Sequence, residues 1–262
     1  MGKTAYAYIN ASMLLYIGRR IELCALAMLR GMARSWDMRV LILHTPKGGS
    51  GKSTLARELA VAASRTMRVA LADLDPQGTT SGWYQRRDAK VPVLVTLDPA
   101  KPMQHLADAG VDLLVIDTPP GQPAYLGVLL VSADAVLVPV RPTPDDLLAA
   151  APIAASLSQS RAWAFVLSQV PPRTRLLAGA LRQLAALGRV APVQLTFRAD
   201  YPAAAITGQV ASEFSGKAAD EATALWAYVQ TILGATDATT PEGKPGRSDR
   251  AQGRRAGRRG DG

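Results

Sequence analysis

The chain has 262 residues, of which 48% are hydrophobic and only 5% aromatic, and it carries one cysteine, Cys24. This length is enough to bury the core of one α/β domain with tails; the lone cysteine excludes a disulfide framework or a cysteine-based metal site within one chain and, with no usable signal peptide, points to a reducing cytoplasm. The formal charge of +9 sits at the ends: residues 1–37 hold five basic against two acidic side chains, and residues 239–262 seven against three, so the nearly neutral middle excludes a generally basic surface.

Residues 1–37 form a preface to the first core strand. Ala11–Leu29 is largely apolar, but Arg19, Arg20 and Glu22 interrupt it and leave no clean transmembrane span. An amphipathic helix lying on a membrane or a partner is one reading. The preferred reading is a mis-called start, with Met38 standing immediately before the first core strand, or else a weakly ordered extension. A strand is expected at Arg39–His44 and a helix at Ser53–Ser64, with Lys47-Gly48-Gly49-Ser50-Gly51-Lys52-Ser53 between them. Strand, Gly-rich turn and helix together describe a phosphate-binding loop. Its backbone N–H groups and the positive end of the helix make an anion cradle, formed by Gly48, Gly49, Ser50, Gly51 and Thr54. Lys52 stands where it reaches the β- and γ-phosphates, and Ser53 where its hydroxyl ligates Mg²⁺. Lys47 is one lysine more than such a loop requires.

The second strand, Arg68–Ala72, runs into Asp73-Leu74-Asp75-Pro76-Gln77-Gly78. Carboxylates two residues apart on an extended chain share one face and stand roughly 6–7 Å apart along it, too far to serve one atom. Asp75 is placed to reach a water beside the γ-phosphate. For Asp73 two roles stay open, the outer shell of Mg²⁺ or structural hydrogen bonds. Pro76 and Gly78 stiffen and turn the chain. A helix at Thr80–Arg87, a strand at Val93–Leu97 and a helix at Pro102–Ala109 follow. The strand Asp112–Ile116 then ends in Asp117-Thr118-Pro119-Pro120, an apolar run closed by an aspartate. That is a Walker B pattern, whose carboxylate holds Mg²⁺ directly or through water. Thr118–Gly121 reads as a switch-like loop near the γ-phosphate.

Further on, helices are expected at Ala124–Val131, Asp145–Gln159, Leu176–Leu187 and Lys217–Leu233, and strands at Ala135–Val140, Ala162–Val170 and Pro192–Phe197. The last helix carries Ala218, Ala222, Leu225, Val229 and Ile232 at helical spacing. Continuously apolar strands indicate a parallel sheet covered on both faces. The expected fold is therefore a doubly wound α/β layer over residues 38–234, with ligands at the carboxyl ends of its strands. Residues 235–262 have almost nothing to bury and are expected to be disordered, either as a solvated terminus or as a polycation adding salt-sensitive affinity for nucleic acid. His44 and His105 lie far apart and suggest no metal site beyond a nucleotide's Mg²⁺. Trp36, Trp83, Trp163 and Trp226 read as packing residues.

In order and spacing the three motifs resemble the ParA/MinD family of deviant Walker-A ATPases, and the Pro-Gln-Gly of the second resembles its partition side. The likeness continues through Val138–Asp146 and resumes at Phe197–Pro202, Gly208 and the Glu221-containing helix, covering about residues 38–233. The resemblance implies an ATPase that uses ATP and Mg²⁺ and dimerises face to face around two ATP molecules. It implies that Lys47 reaches the partner's nucleotide, that Lys52 and Ser53 serve the nucleotide in their own subunit, that Asp75 positions water and that Asp117 is the Walker B aspartate. Pro144 and Asp146 fall where the family's adenine-side loop lies. The implied partners are non-specific DNA and a centromere-binding adaptor, with no membrane, and the implied location is the nucleoid. Ser50 replaces the commoner valine, and residues 1–37 have no counterpart in small family members. Plasmid or chromosome partition is the leading expectation. Positioning of a protein assembly or conjugation machinery is the alternative, and a non-catalytic binding module a third reading.

Overall fold

The structure is a computed structural model and describes residues 38–99, 110–158, 160 and 162–238. The preface, residues 239–262 of the basic tail and the helix expected at Pro102–Ala109 lie outside the described residues; residues 235–238, expected to be disordered, instead continue the last helix. Six strands form one parallel sheet: β1 (Arg39–Leu43), β2 (Val69–Asp73), β3 (Val93–Val95), β4 (Leu113–Asp117), β5 (Ala135–Val140) and β6 (Trp163–Leu167). Their order is β3-β2-β4-β1-β5-β6. Helices α1 (Lys52–Ala63), α2 (Thr79–Arg86), α3 (Leu126–Ser132), α4 (Pro144–Leu157), α5 (Leu177–Leu187), α6 (Asp200–Ile206) and α7 (Lys217–Ala238) connect and cover it.

Alternate residues of each strand feed two separate cores, as a pleated strand requires. Leu41, Leu43, Leu71, Leu113, Val115 and Leu137 pack against α1 and α7 with Trp83 and Trp226. Val40, Ile42, Leu114, Ile116, Val136 and Val138 face α3, α4 and α5. Both faces are buried, which is why the strands read as unbroken apolar runs. Helix α1 is buried along nearly its whole length, and its Ala56, Ala60 and Ala63 let it lie close to the sheet.

The pairing register matters most for the site. Leu43 pairs with Asp117, and Asp117 with Asp73. The ends of β1, β4 and β2 therefore stand in one row, and the three motifs leave the sheet side by side.

Several elements differ from expectation. Strands β2 and β4 run one residue further, so Asp73 and Asp117 close their strands rather than follow them. The strand expected at Pro192–Phe197 does not form. The chain runs beside β6 with only isolated bridges, at Val190 and Thr196. Ala191 N bonds to Phe165 O and Leu195 N to Leu167 O, so four residues advance on one side for two on the other. Pro192 has no N–H to continue a ladder. Strand β6 stops at Leu167 instead of Val170, and two residues later Gln169 adopts φ 50, a left-handed conformation. Helix α6 was not expected; it has only seven residues and Pro202 in its first turn, too short for a periodic signal.

Candidate functional site

The loop from β1 to α1 turns on two glycines in the left-handed region, Gly49 (φ 72) and Gly51 (φ 95), a conformation without steric cost only for glycine. Two residues beyond β6 hold the loop from behind. Ser168 Oγ donates to Ser50 O at 2.6 Å and Gln169 Nε2 to Gly49 O at 2.6 Å. The carbonyls of Gly49 and Ser50 are thereby both bound from the β6 side.

Lys52 is buried and curls back over the loop, its Nζ donating to Lys47 O at 3.4 Å. Burial lowers its pKa, and the charges of Asp117 and Asp75 oppose that shift. Lys52, Asp75 and Asp117 therefore share one electrostatic site although each comes from a different strand end. The ammonium of Lys47, by contrast, has no hydrogen bond or ion pair among the described residues.

Asp117 is 0% exposed. Its Oδ2 accepts from Thr80 Oγ1 at 2.7 Å, while its Oδ1 has no hydrogen-bond partner among the described residues. Burial pushes its pKa up to about 6 and the neighbouring Asp73 adds to this, while the Thr80 hydroxyl bonded to it, the Ser53 hydroxyl nearby and the charge of Lys52 work against it. An orphaned buried carboxylate oxygen is expensive unless something cationic completes it. With the Ser53 hydroxyl close by, the donor set is two hard oxygens at a phosphate cradle. That fits Mg²⁺, which takes few protein ligands and relies on phosphate and water for the rest. Among the described residues no three His, Cys, Asp or Glu side chains converge as a metal cluster.

Both oxygens of Asp73 accept backbone N–H groups, from Asp75 at 3.1 Å and from Ser81 at 2.7 Å. Of its two open roles, this geometry supports structural hydrogen bonding. Asp75 uses one oxygen to accept from Gln77 N at 3.0 Å, an Asx turn, and its charge acts on Lys52. The switch-like loop is tied to the phosphate loop: Thr118 Oγ1 donates to Leu43 O at 2.9 Å, and Gly121 N to Pro46 O at 3.0 Å. Since the Thr118 proton is committed, His44 Nδ1, 3.1 Å away, is the donor in that pair. His44 is 3% exposed, and burial together with the Lys52 charge lowers its pKa to about 4.

Pro144 starts α4, and Asp146 turns inward, both oxygens spent on Arg141 at 2.8 and 3.0 Å. Neither lines the cleft beside the loop. That cleft, about 200 Å³, runs from Gly51 and Thr54 past Ser168 and Gln169 to Phe197, Arg198 and Tyr201. Thr80, Ser168, Gln169 and Phe197 were missed as site residues. Only Phe197, inside a recognised family segment, carried any signal; the others depend on which strands lie together.

Residues 41–224 match the family model described as the CobQ/CobB/MinD/ParA nucleotide binding domain. A maintenance of carboxysome distribution protein A from Halothiobacillus neapolitanus is 34% identical over 143 residues, 50% of this chain and 66% of that protein. The chain thus spans just under two thirds of that relative's length. The chromosome-partitioning ATPase Soj of Thermus thermophilus is 31% identical over 173 residues, 53% of this chain and 67% of the relative. Among solved structures, McdA of Cyanothece in complex with ATP superposes with a TM-score of 0.63 at 16% identity, covering 76% of this chain and 98% of that one. At that identity the likeness speaks for the fold.

Proposed function

The chain belongs to the CobQ/CobB/MinD/ParA nucleotide-binding domain family, and from that premise we propose that it is a Mg²⁺-dependent ATPase whose ATP-bound dimer positions a large intracellular cargo. The observation that carries this is the row of strand ends bringing Lys52, Asp75 and the orphaned Oδ1 of Asp117 together at the phosphate loop. In this reading the loop N–H groups and Lys52 bind the phosphates, and the base occupies the cleft beside Gly51. Ser53 and Asp117 hold Mg²⁺, which when bound supplies charge that neutralises the phosphate oxygens. Asp73 keeps Asp75 and the start of α2 in place, and Asp75 orients the attacking water. Lys47, whose ammonium has no partner among the described residues, crosses to the partner's nucleotide and stabilises charge only once the dimer has formed. ATP thereby favours the dimer through contacts a monomer lacks.

The cargo we propose is a protein assembly. The first-named relative, a carboxysome distribution protein, supports this. Segregation of plasmid or chromosomal DNA through a centromere-binding adaptor is the second reading, supported by the similarity to Soj. In both, the dimer travels on non-specific nucleoid DNA. Among the described residues no helix is long and apolar enough to cross a membrane. The test of the biochemical core is sedimentation and phosphate release with Mg²⁺ and ATP or ADP. A dimer with ATP, a monomer with ADP and slow turnover are expected; a monomer with ATP and no turnover would overturn the proposal. Deleting the gene in its host separates the cargos: a clustered protein assembly supports the first reading and plasmid loss the second.

A further inference from the structure

The rim of the cleft carries a feature that phosphate binding does not use. Phe197, one of three phenylalanines in the chain, lines the cleft and is 65% exposed. A solitary exposed aromatic is ordinary, but the backbone beneath this one is held unusually firmly. Glu221 of α7 accepts from Thr196 N at 3.0 Å, Thr196 Oγ1 at 2.7 Å and Tyr201 Oη at 3.1 Å. It also accepts from Arg198 Nη2 at 2.8 Å and Nε at 3.2 Å. Phe197 N itself donates to Val170 O at 2.9 Å. Burial opposes ionisation of Glu221, yet the hydrogen bonds from Arg198, Thr196 and Tyr201 outweigh it and hold the carboxyl below its usual range. One carboxylate thus pins the residues on both sides of Phe197, while the ring is left uncovered at the mouth of a cleft that opens from the phosphate loop.

We propose that Phe197 is the stacking platform for the nucleotide base and that Glu221 is the positioning residue that presents it. This rests on the reading that the base occupies this cleft. A flat ring on a fixed backbone loses little freedom when a planar purine settles on it, and base–aromatic stacking is tolerant of base identity. The pair therefore supplies affinity for the base and leaves purine choice to polar groups elsewhere.

The experiment is isothermal titration of the full chain, with Mg²⁺, against ATP, GTP and inorganic tripolyphosphate, which has phosphates but no base. Phe197→Ala is expected to weaken ATP and GTP alike by ~10-fold and to leave tripolyphosphate unchanged, while Phe197→Tyr retains the parent affinity. Glu221→Gln is expected to show a smaller loss of the same kind, and the double variant to bind no worse than Phe197→Ala alone, since positioning a ring that has gone no longer matters. Unchanged ATP affinity in Phe197→Ala, or losses that add in the double variant, would overturn the proposal. If the parent binds tripolyphosphate as tightly as ATP, the base-cleft reading itself fails. If the parent prefers ATP and Phe197→Ala keeps that preference, only the present inference fails. Should Glu221→Gln not fold, the two Phe197 variants decide alone.

Discussion

Replacing Asp117 by Asn and, separately, His44 by Asn is expected to uncover two pH dependences that oppose each other in the nucleotide-free protein. Asp117 moves from an ordinary 3.8 to about 6 on folding, mainly through burial. His44 moves from 6.5 to about 4, again mainly through burial. At about 1.4 kcal/mol per tenfold change, each displacement is worth about 3 kcal/mol. The signs are opposite. Between 3.8 and 6 the folded protein keeps a proton on Asp117 that the unfolded chain has lost, so this group's contribution falls as pH rises. Between 6.5 and 4 the unfolded chain takes up a proton that buried His44 refuses, so that contribution is lost as pH falls.

The two windows nearly coincide, and in the parent the contributions largely offset each other. The assay is urea unfolding with EDTA and no nucleotide, from pH ~4 to ~7.5, read as the difference between each variant and the parent so that other carboxylates cancel. The stability of Asp117→Asn relative to the parent should rise with pH and reach a gain of up to ~3 kcal/mol above pH ~6.5. For His44→Asn the relative stability should rise as pH falls, by a similar amount, on top of a constant offset from the lost bond to Thr118. Flat difference curves, or two slopes of the same sign, would refute the burial argument. The gain in Asp117→Asn should come with loss of stabilisation by Mg²⁺ and ATP, the usual exchange between a strained site and its function.

Other variants separate the remaining assignments. Lys47→Ala should bind nucleotide normally but lose ATP-dependent dimerisation or partner-stimulated turnover, as measured by sedimentation and phosphate release; unchanged stimulated turnover would remove the role assigned to it across the interface. Gly208→Ala should destabilise the fold by at least ~3 kcal/mol, because a Cβ there would lie 2.4 Å from Arg87 N and 2.5 Å from Arg86 C at φ +71; an urea midpoint matching the parent's would contradict that contact. DNA binding in the presence of ATP should weaken steeply with salt. Deleting residues 239–262 should flatten that slope if the basic tail contributes, and an unaltered slope would exclude the tail.

The phosphate loop, the aspartates at the ends of β2 and β4 and the parallel sheet were legible in the sequence because each is written locally. A Gly-rich turn between an apolar run and a helix, or a carboxylate closing an apolar run, needs no knowledge of what lies beside it. The short-range errors have local causes too: Pro192 breaks a ladder that its apolar neighbours suggest, and α6 is too short to show a period. Only the tertiary structure decided how the site is braced. Thr80 meets Asp117, Ser168 and Gln169 clamp the loop carbonyls, and Asp146 turns to Arg141 instead of the cleft. Three of these four contacts join residues 37 to 120 positions apart, through strand register and burial that no local pattern encodes; the fourth, between Asp146 and Arg141, is close in sequence but is settled by which side of α4 faces inward. The unpartnered Oδ1 of Asp117 belongs to the same class. The sequence by itself determined which residue stands at the end of β4; burial in a sheet covered on both faces decided that its charge would be costly and one of its oxygens left open.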